Sequence, residues 1–562
     1  MKLVLGALLL GATTLAAAVP AGAAAPTPGP QQRVVVQSTG DRADAVRAVR
    51  AAGGRVTHDL PIVDGVSATV PAAARHRVAT APGVLAVTDD LAVGTAGAAD
   101  QGGRTVPAAV LSETGADVLQ RYGVDGRGST VALVDTGISP VADLRGRVLP
   151  VADPDDASAP DVACVNFSGE PTCDDGYGHG TFVAGLIAGD GAASGGTYRG
   201  TAPGADLVSV KIADRTGASD VTKVLAAIQW VVSFRERYGI DVLNLSLGTD
   251  SDTDPSVDPL NRAVQRATAA GIVVVVAAGN AGTGPGGTGT VFKPGDDPSV
   301  LTVGAVDDLQ TATTGDDRVP AFTSRGPTAQ GLAKPDLAAP GAHLVSLRVP
   351  GSYVEEQAKG AGVVDASYRR GSGSSFATGV VSGLVAAVHQ VHPDWTPARV
   401  KAALAATADP ARLGEPAAVG AGIAYAPAAV FSSAQGVPTA VAGGQLGVVE
   451  AARGSVHVVR DDCGSLQRTL DRRCTDGITG ETTSQGRTLP QRFDPSVLSQ
   501  PWTPETWYSS PWSGNSWLGN SWLGNSWLGN SWLGNSWLGD DTGSDSSYGT
   551  PRSGSAFYGT AE

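Results

Sequence analysis

Three polar residues in this sequence stand where short apolar runs give way to small residues. Asp135 follows Val131-Ala-Leu-Val134 and precedes Thr136-Gly137, His179 lies in Gly178-His-Gly-Thr181, and Ser375 lies in Gly373-Ser-Ser-Phe-Ala377. An acid, a base and a hydroxyl are the set that nucleophilic acyl transfer requires. The hydroxyl is a weak nucleophile until a base removes its proton, and the base needs a carboxylate to fix its tautomer and stabilise its cation. A fourth group, Asn280, follows the run Ile272–Ala278 and Gly279. Its amide N–H, with the backbone N–H of Ser375 on the first turn of a helix, would face a developing oxyanion. Taken singly, each has a plainer reading: the Asp as a turn residue, the His as a surface residue, the Ser as a helix N-cap. The four together, each inside a long local motif, favour the chemistry.

The elements that must position them follow from the apolar patterning. Between about 108 and 432, the runs Ser129–Val134, Asp206–Ile212, Asp241–Leu247, Ile272–Ala278 and Val300–Val306 read as buried parallel strands. Helical patterns cover Thr181–Ala188, Val221–Arg237, Pro259–Ala270, Ser375–His389 and Thr396–Ala406. Alternation of this kind predicts one large α/β domain with a mainly parallel central sheet and helices on both faces. In such a sheet, ligands bind at the carboxyl ends of the strands, where Asp135 and Asn280 fall. Residues about 31–92 predict strand, helix, strand, helix, strand: a small α+β unit ahead of the large domain.

The motifs also carry a resemblance. The segments Val131-Ala-Leu-Val-Asp-Thr-Gly-Ile138, Gly178-His-Gly-Thr-Phe-Val-Ala-Gly185, Ala277-Ala-Gly-Asn-Ala-Gly282 and Gly373-Ser-Ser-Phe-Ala377 resemble the signature blocks of subtilisin-like serine proteases, in that family's Asp, His, Ser order. Asn244-Leu-Ser-Leu-Gly248 and Lys334-Pro-Asp-Leu-Ala-Ala-Pro-Gly341 are similar to further blocks. The resemblance implies a subtilisin-like fold over 108–432, a triad of Asp135, His179 and Ser375, and Asn280 as the oxyanion donor. It implies that Ser246, Leu247 and Gly248 pair with an extended polypeptide substrate. Ala277, Ala278 and Gly279 would form the other wall of the pocket for the side chain before the scissile bond. It further implies that residues 25–100 are an inhibitory propeptide that occupies the cleft with its C-terminal end. The chemistry needs no cofactor. Family members commonly bind structural calcium through oxygen ligands, but the Asp-rich stretches 250–258 and 307–317 fit no EF-hand spacing, and no ligand is assigned. Two departures from the family are Gly379, where Pro is usual, and Phe376, where Met is frequent.

Composition bounds the alternatives. With 40 Lys and Arg against 54 Asp and Glu, the net charge of −14 opposes nucleic-acid binding. Residues 1–24 read as a secretory signal peptide, with Lys2, a short apolar run and small residues at its end. No later stretch reads as a membrane span. Export permits disulfides. Cys164 with Cys173 and Cys463 with Cys474 form two sequence-local pairs, though spacing alone leaves cross-pairing open. An adhesin built on an inactive protease fold would have lost one of the four functional residues, and none is lost. A dibasic-specific processing protease would need acidic pocket walls, and Ser246–Gly248 and Ala277–Gly279 carry no charge.

Residues 433–500 are weakly patterned, and 501–562 form a tail in which eight Trp, from Trp502 to Trp537, recur every five residues. Such aromatic surface exceeds what a linker needs and suits noncovalent contact with cell-wall polymers. Deleting Gln500–Glu562 is expected to leave peptide cleavage intact and to weaken retention on purified cell wall. Equal retention of the two forms in a pull-down would make the tail a plain linker.

Overall fold

A computed structural model describes residues 30–95, 98–99, 109–151, 161–251, 253–283, 289–410 and 413–431, with the backbone of four three-residue strands between 446 and 560. The predicted leader at 1–24, the side chains of Cys463 and Cys474, the rest of 433–500 and the Trp pentapeptides lie outside the described residues.

The large domain is built on one parallel sheet of seven strands. Their order is Leu337–Pro340, Leu301–Val306, Val273–Ala277, Ile240–Leu245, Thr130–Asp135, Asp206–Lys211 and Val165–Asn166. The five inner strands are the apolar runs of the sequence, displaced by no more than two residues. The two edge strands carry no such signal. Val165–Asn166 is too short, and Leu337–Pro340 ends in a proline, which only an edge position tolerates.

Burial on both faces explains why the inner strands are apolar throughout. Val131 and Leu133 face one layer while Ala132 and Val134 face the other, and Val273 and Val275 alternate in the same way with Val274 and Val276. The first layer holds the helices His179–Ala188 and Ser374–Val391; the second holds Val221–Tyr238 and Pro259–Ala269. Each fully buried Val or Leu contributes about 1.5–3 kcal/mol on leaving water. Asp220 and Asp258 cap the two helices of the second layer by accepting from Lys223 N (3.0 Å) and Leu260 N (2.9 Å). Ser374–Val391 is long and apolar enough to cross a membrane by length and composition, yet 83% of it is buried inside the fold, as befits a core helix.

Residues 31–89 form the separate α+β unit. Its antiparallel sheet has the order Arg55–Leu60, Gly65–Pro71, Gln31–Ser38, Val84–Asp89. The helices Arg42–Ala51 and Arg75–Ala79 close a core of Val34, Val36, Val49, Val66, Val70 and Val78. The sequence pattern predicts three of these strands. Arg55–Leu60 is missed because it is a largely exposed edge strand with no apolar alternation. The opposite face of this small sheet docks on the second helical layer. Val35, Leu60, Ile62 and Val63 join its core, Arg266 Nη1 donates to the Pro61 carbonyl (2.7 Å), and Gln37 Nε2 donates to the Val257 carbonyl (2.7 Å).

One buried cluster has no apparent neutraliser. Glu113, at the end of the helix Ala109–Glu113, is buried with Asp308 and Asp317. No N–H or hydroxyl donor reaches either oxygen of Glu113 or Asp317, or Oδ2 of Asp308, but the Glu113 and Asp317 carboxyls lie within hydrogen-bond reach of each other. Among the described residues no group of three His, Cys, Asp or Glu side chains is placed to hold a metal ion. Protonation of the cluster lowers its charge. Burial first, then the charges of Asp317 and Asp308, push the Glu113 carboxyl well above the usual carboxylate range. Burial also lifts Asp308 to about 6. The folded state therefore binds a proton that the unfolded chain releases. This contribution to stability is complete at acid pH and is lost as the pH rises from the ordinary carboxyl range towards the raised value. Glu113→Gln, measured by thermal unfolding on a Ser375→Ala background that prevents autolysis, is expected to raise Tm at pH 8 and to change it little at pH 5. Parallel curves at the two pH values would show that Glu113 carries no extra proton.

Candidate active site

Asp135 is the last residue of the central strand Thr130–Asp135 and is 1% exposed. Its Oδ1 accepts from the backbone N–H of Thr136 (2.7 Å) and from His179 Nδ1 (2.8 Å). His179 opens the first-layer helix, after Gly178 in the left-handed region at φ 97°. The helix start can come this close because residue 180 is glycine: a Cβ there would lie 2.2 Å from the Gly137 carbonyl oxygen. With Nδ1–H directed at Asp135, His179 Nε2 is the basic nitrogen. It is buried and meets no hydrogen-bond partner among the described residues.

Ser375 lies in the first turn of the other first-layer helix and is fully buried. Its Oγ donates to the Ser246 carbonyl (2.8 Å). Ser246 Oγ in turn lies 2.8 Å from Asn244 Oδ1 and 3.0 Å from the Ser375 carbonyl, so the strand end and the helix start are tied to each other. Phe376 packs its ring between those of His179 (centroids 5.5 Å) and Phe182 (4.2 Å), which sets the spacing of the two helices. Asn280 is partly buried, and its Oδ1 accepts from Ser374 N (2.9 Å). Because a backbone N–H can only donate, this contact fixes which end of the amide is oxygen and makes Nδ2 the outward donor.

The two predicted pocket walls are both at strand ends. Leu247 and Gly248 pair antiparallel with the N-terminal segment's Ala92–Thr95, in the register Leu247↔Thr95 and Gly248↔Gly94. The far edge of that segment pairs with Ser219–Asp220. A few residues on, Ala98 and Ala99 pair with Ser372 and Gly371, just ahead of Ser375. Ala277 and Ala278 are buried, and Gly279 has φ 111°, a conformation that favours glycine. Phe292, whose N–H donates to the Ala278 carbonyl (2.9 Å), reaches both walls.

Asp175 is a residue that the sequence reading passed over. It is completely buried, and burial pushes its carboxyl up despite the hydrogen bonds that it accepts. Its Oδ1 accepts from Thr136 Oγ1 (2.7 Å) and Gly178 N (2.7 Å), and its Oδ2 accepts from Thr181 N (2.8 Å). Thr136 Oγ1 itself accepts from Gly180 N (2.9 Å). One carboxylate thus fastens the residue after Asp135 to the residues on either side of His179. The Asp in Asp175-Gly-Tyr-Gly-His179 looks in sequence like an ordinary turn residue, and only its partners reveal the role. Its loop is pinned by the disulfide Cys164–Cys173 (Cα–Cα 5.7 Å), the first of the two local pairs.

Fold and site together define a subtilisin-like hydrolase domain. Residues 126–422 match the family model described as the subtilase family, and the chain belongs to that family. It is 43% identical over 282 residues to serine protease AprX of Bacillus subtilis (strain 168), a match that covers 49% of this chain and 60% of AprX. It is 32% identical over 326 residues to alkaline elastase YaB of Bacillus sp. (strain YaB), covering 58% of this chain and 70% of that protein. The chain therefore spans less than two thirds of AprX. Among solved structures, fervidolysin from Fervidobacterium pennivorans, a keratinolytic enzyme related to subtilisin, shares the fold. That match has a TM-score of 0.56 and 24% identity, and covers 74% of this chain and 63% of fervidolysin.

Asp175→Asn replaces an acceptor with an amide that must face the N–H of Gly178 or Thr181. It is expected to lower kcat about 10²-fold by misplacing His179, with KM nearly unchanged. Steady-state kinetics on a chromogenic peptide decide this, and a loss carried by KM would reassign Asp175 to substrate binding.

Proposed function

We propose that the chain is exported as a zymogen and acts outside the cell as a serine endopeptidase through Asp135, His179 and Ser375. The observation that carries this reading is the buried His179 Nδ1···Asp135 contact of 2.8 Å, with Nε2 left as the available base. A polypeptide substrate adds as an extended strand beside Ser246–Gly248, held by main-chain hydrogen bonds. The Ser375 hydroxyl, turned to the Ser246 carbonyl in this state, swings to His179 Nε2. His179 takes the proton as Oγ attacks the carbonyl carbon, and Asp135 stabilises the imidazolium. The oxyanion is met by Asn280 Nδ2 and the Ser375 backbone N–H, at the positive end of the helix Ser374–Val391. His179 then gives the proton to the leaving amine, and water releases the acyl group by the same path in reverse.

The small N-terminal unit supports the zymogen reading. Its strand Ala92–Thr95 lies where that substrate strand would add, and Ala98–Ala99 pairs on the far side of Ser375. The residue that follows Thr95 in sequence is Ala96, and the residue that precedes Leu247 is Ser246, whose carbonyl holds the nucleophile. Carried one step beyond Thr95, this register supports Ala96–Gly97 as the maturation bond. The leader at 1–24 and the paired cysteines support export.

Ser375→Ala is expected to abolish hydrolysis of casein and to leave the secreted chain uncut, whereas the wild type yields a mature chain beginning at Gly97. N-terminal sequencing with intact mass of protein from the medium tests both. Full activity in Ser375→Ala would overturn the triad, and processing without activity would mean that an outside protease cuts the chain.

A further inference from the structure

The two walls that would flank the side chain before the scissile bond end in glycines, which by themselves would leave a deep slot. Phe292 changes this. A Cβ placed on Gly279 would lie 2.9 Å from both Cγ and Cδ2 of Phe292, and a Cβ placed on Gly248 would lie 2.8 Å from Phe292 Cβ and 3.3 Å from its Cδ2. One aromatic side chain therefore rests against both glycines at once. Its backbone fixes it there: Phe292 N donates to the Ala278 carbonyl (2.9 Å), and Lys293 exchanges two hydrogen bonds of 3.1 Å with Thr249, the residue after Gly248. Lys293 is itself anchored, with Nζ donating to Asp296 Oδ2 (2.6 Å) in a buried pair. This ladder fixes the Phe292 backbone, and so the position of its Cβ, between the two walls.

We propose that Phe292 closes the slot between Ser246–Gly248 and Ala277–Gly279, and so restricts this protease to cutting after small residues such as alanine, serine and glycine. The proposal rests on the endopeptidase reading and names its substrate class. A large side chain before the bond has to displace a ring packed against two backbones, at the cost of its contacts. A methyl group needs no displacement. The chain's own sequence is consistent with this limit, since the residue that follows Thr95 in the docked strand is Ala96. Nothing in the strands of the walls themselves would give this selectivity, because both present glycine to the slot.

The test is a series of chromogenic tetrapeptides that differ only in the residue before the cut: Ala, Leu or Phe. The wild type is expected to favour Ala over Phe in kcat/KM by on the order of 10². Phe292→Gly, which removes the ring, is expected to narrow that ratio at least about tenfold by gaining on the Phe peptide. Phe292→Val, with less cavity left behind, is expected to admit Leu before Phe. If the glycine variant fails to fold, the valine variant and the wild-type ratio decide. Cleavage of the Phe peptide by the wild type as readily as the Ala peptide would overturn the proposal and leave the protease reading standing. Failure of the wild type to cut any of the three would instead overturn that reading.

Discussion

The contact on which the rest of the site depends is the buried hydrogen bond between His179 Nδ1 and Asp135 Oδ1, 2.8 Å long. Removing a carboxylate from water is costly, and Asp135 meets its donors through Oδ1 alone, since Oδ2 is buried with no hydrogen-bond partner among the described residues. Those partners come from a strand end and a helix start 44 residues apart. The approach is possible only because Gly180 carries no side chain against the Gly137 carbonyl. Asp175 then holds both loops with a single carboxylate, and the disulfide Cys164–Cys173 holds the segment that leads to Asp175. Each layer of support exists to fix the orientation of one imidazole.

The two helical layers divide the labour. The layer carrying His179–Ala188 and Ser374–Val391 presents His179 and Ser375, and Phe376 packs between His179 and Phe182. The opposite layer, Val221–Tyr238 and Pro259–Ala269, serves as the platform for the N-terminal unit. The capped start of Val221–Tyr238 also receives Asp90, whose Oδ1 accepts from Thr222 N at 3.0 Å. A carboxylate at a helix N-terminus is favoured by the unpaired N–H groups and the dipole there. That anchor sits two residues before the strand Ala92–Thr95 and so delivers it to Leu247–Gly248 in register. The attachment of the small unit and the occupation of the cleft are thus one continuous interface, formed by apolar burial at one end and main-chain pairing at the other.

Between the two strand ends, one side chain, Phe292, rests against two glycines, Gly248 and Gly279. A glycine-lined slot is usually read as room for a side chain. Here the room is taken by a residue that the sequence places more than a dozen positions after Gly279, in a loop whose local sequence says nothing about the pocket.

Much of this protein is determined by its sequence alone. The inner strands are continuous apolar runs because both of their faces are covered, and that burial writes itself into composition. Asp135, His179, Ser375 and Asn280 stand out because each lies in a motif of small residues that a close backbone approach demands. What the sequence leaves open are features with no local cost or signal. The edge strands Val165–Asn166 and Leu337–Pro340 and the exposed strand Arg55–Leu60 are held by neighbours and not by their own pattern. Asp175 reads as a turn until its three donors are in place, and Cys164 pairs with Cys173 in preference to a distant cysteine only once the chain is folded. Glu113 meets Asp308 and Asp317 across about two hundred residues, and Phe292 meets Gly248 across more than forty. Local sequence encodes the backbone that each segment can adopt, but burial and contact between distant segments arise only when the layers close. That closure brought Glu113 beside Asp308 and Asp317, fastened His179 and set Phe292 against two glycines.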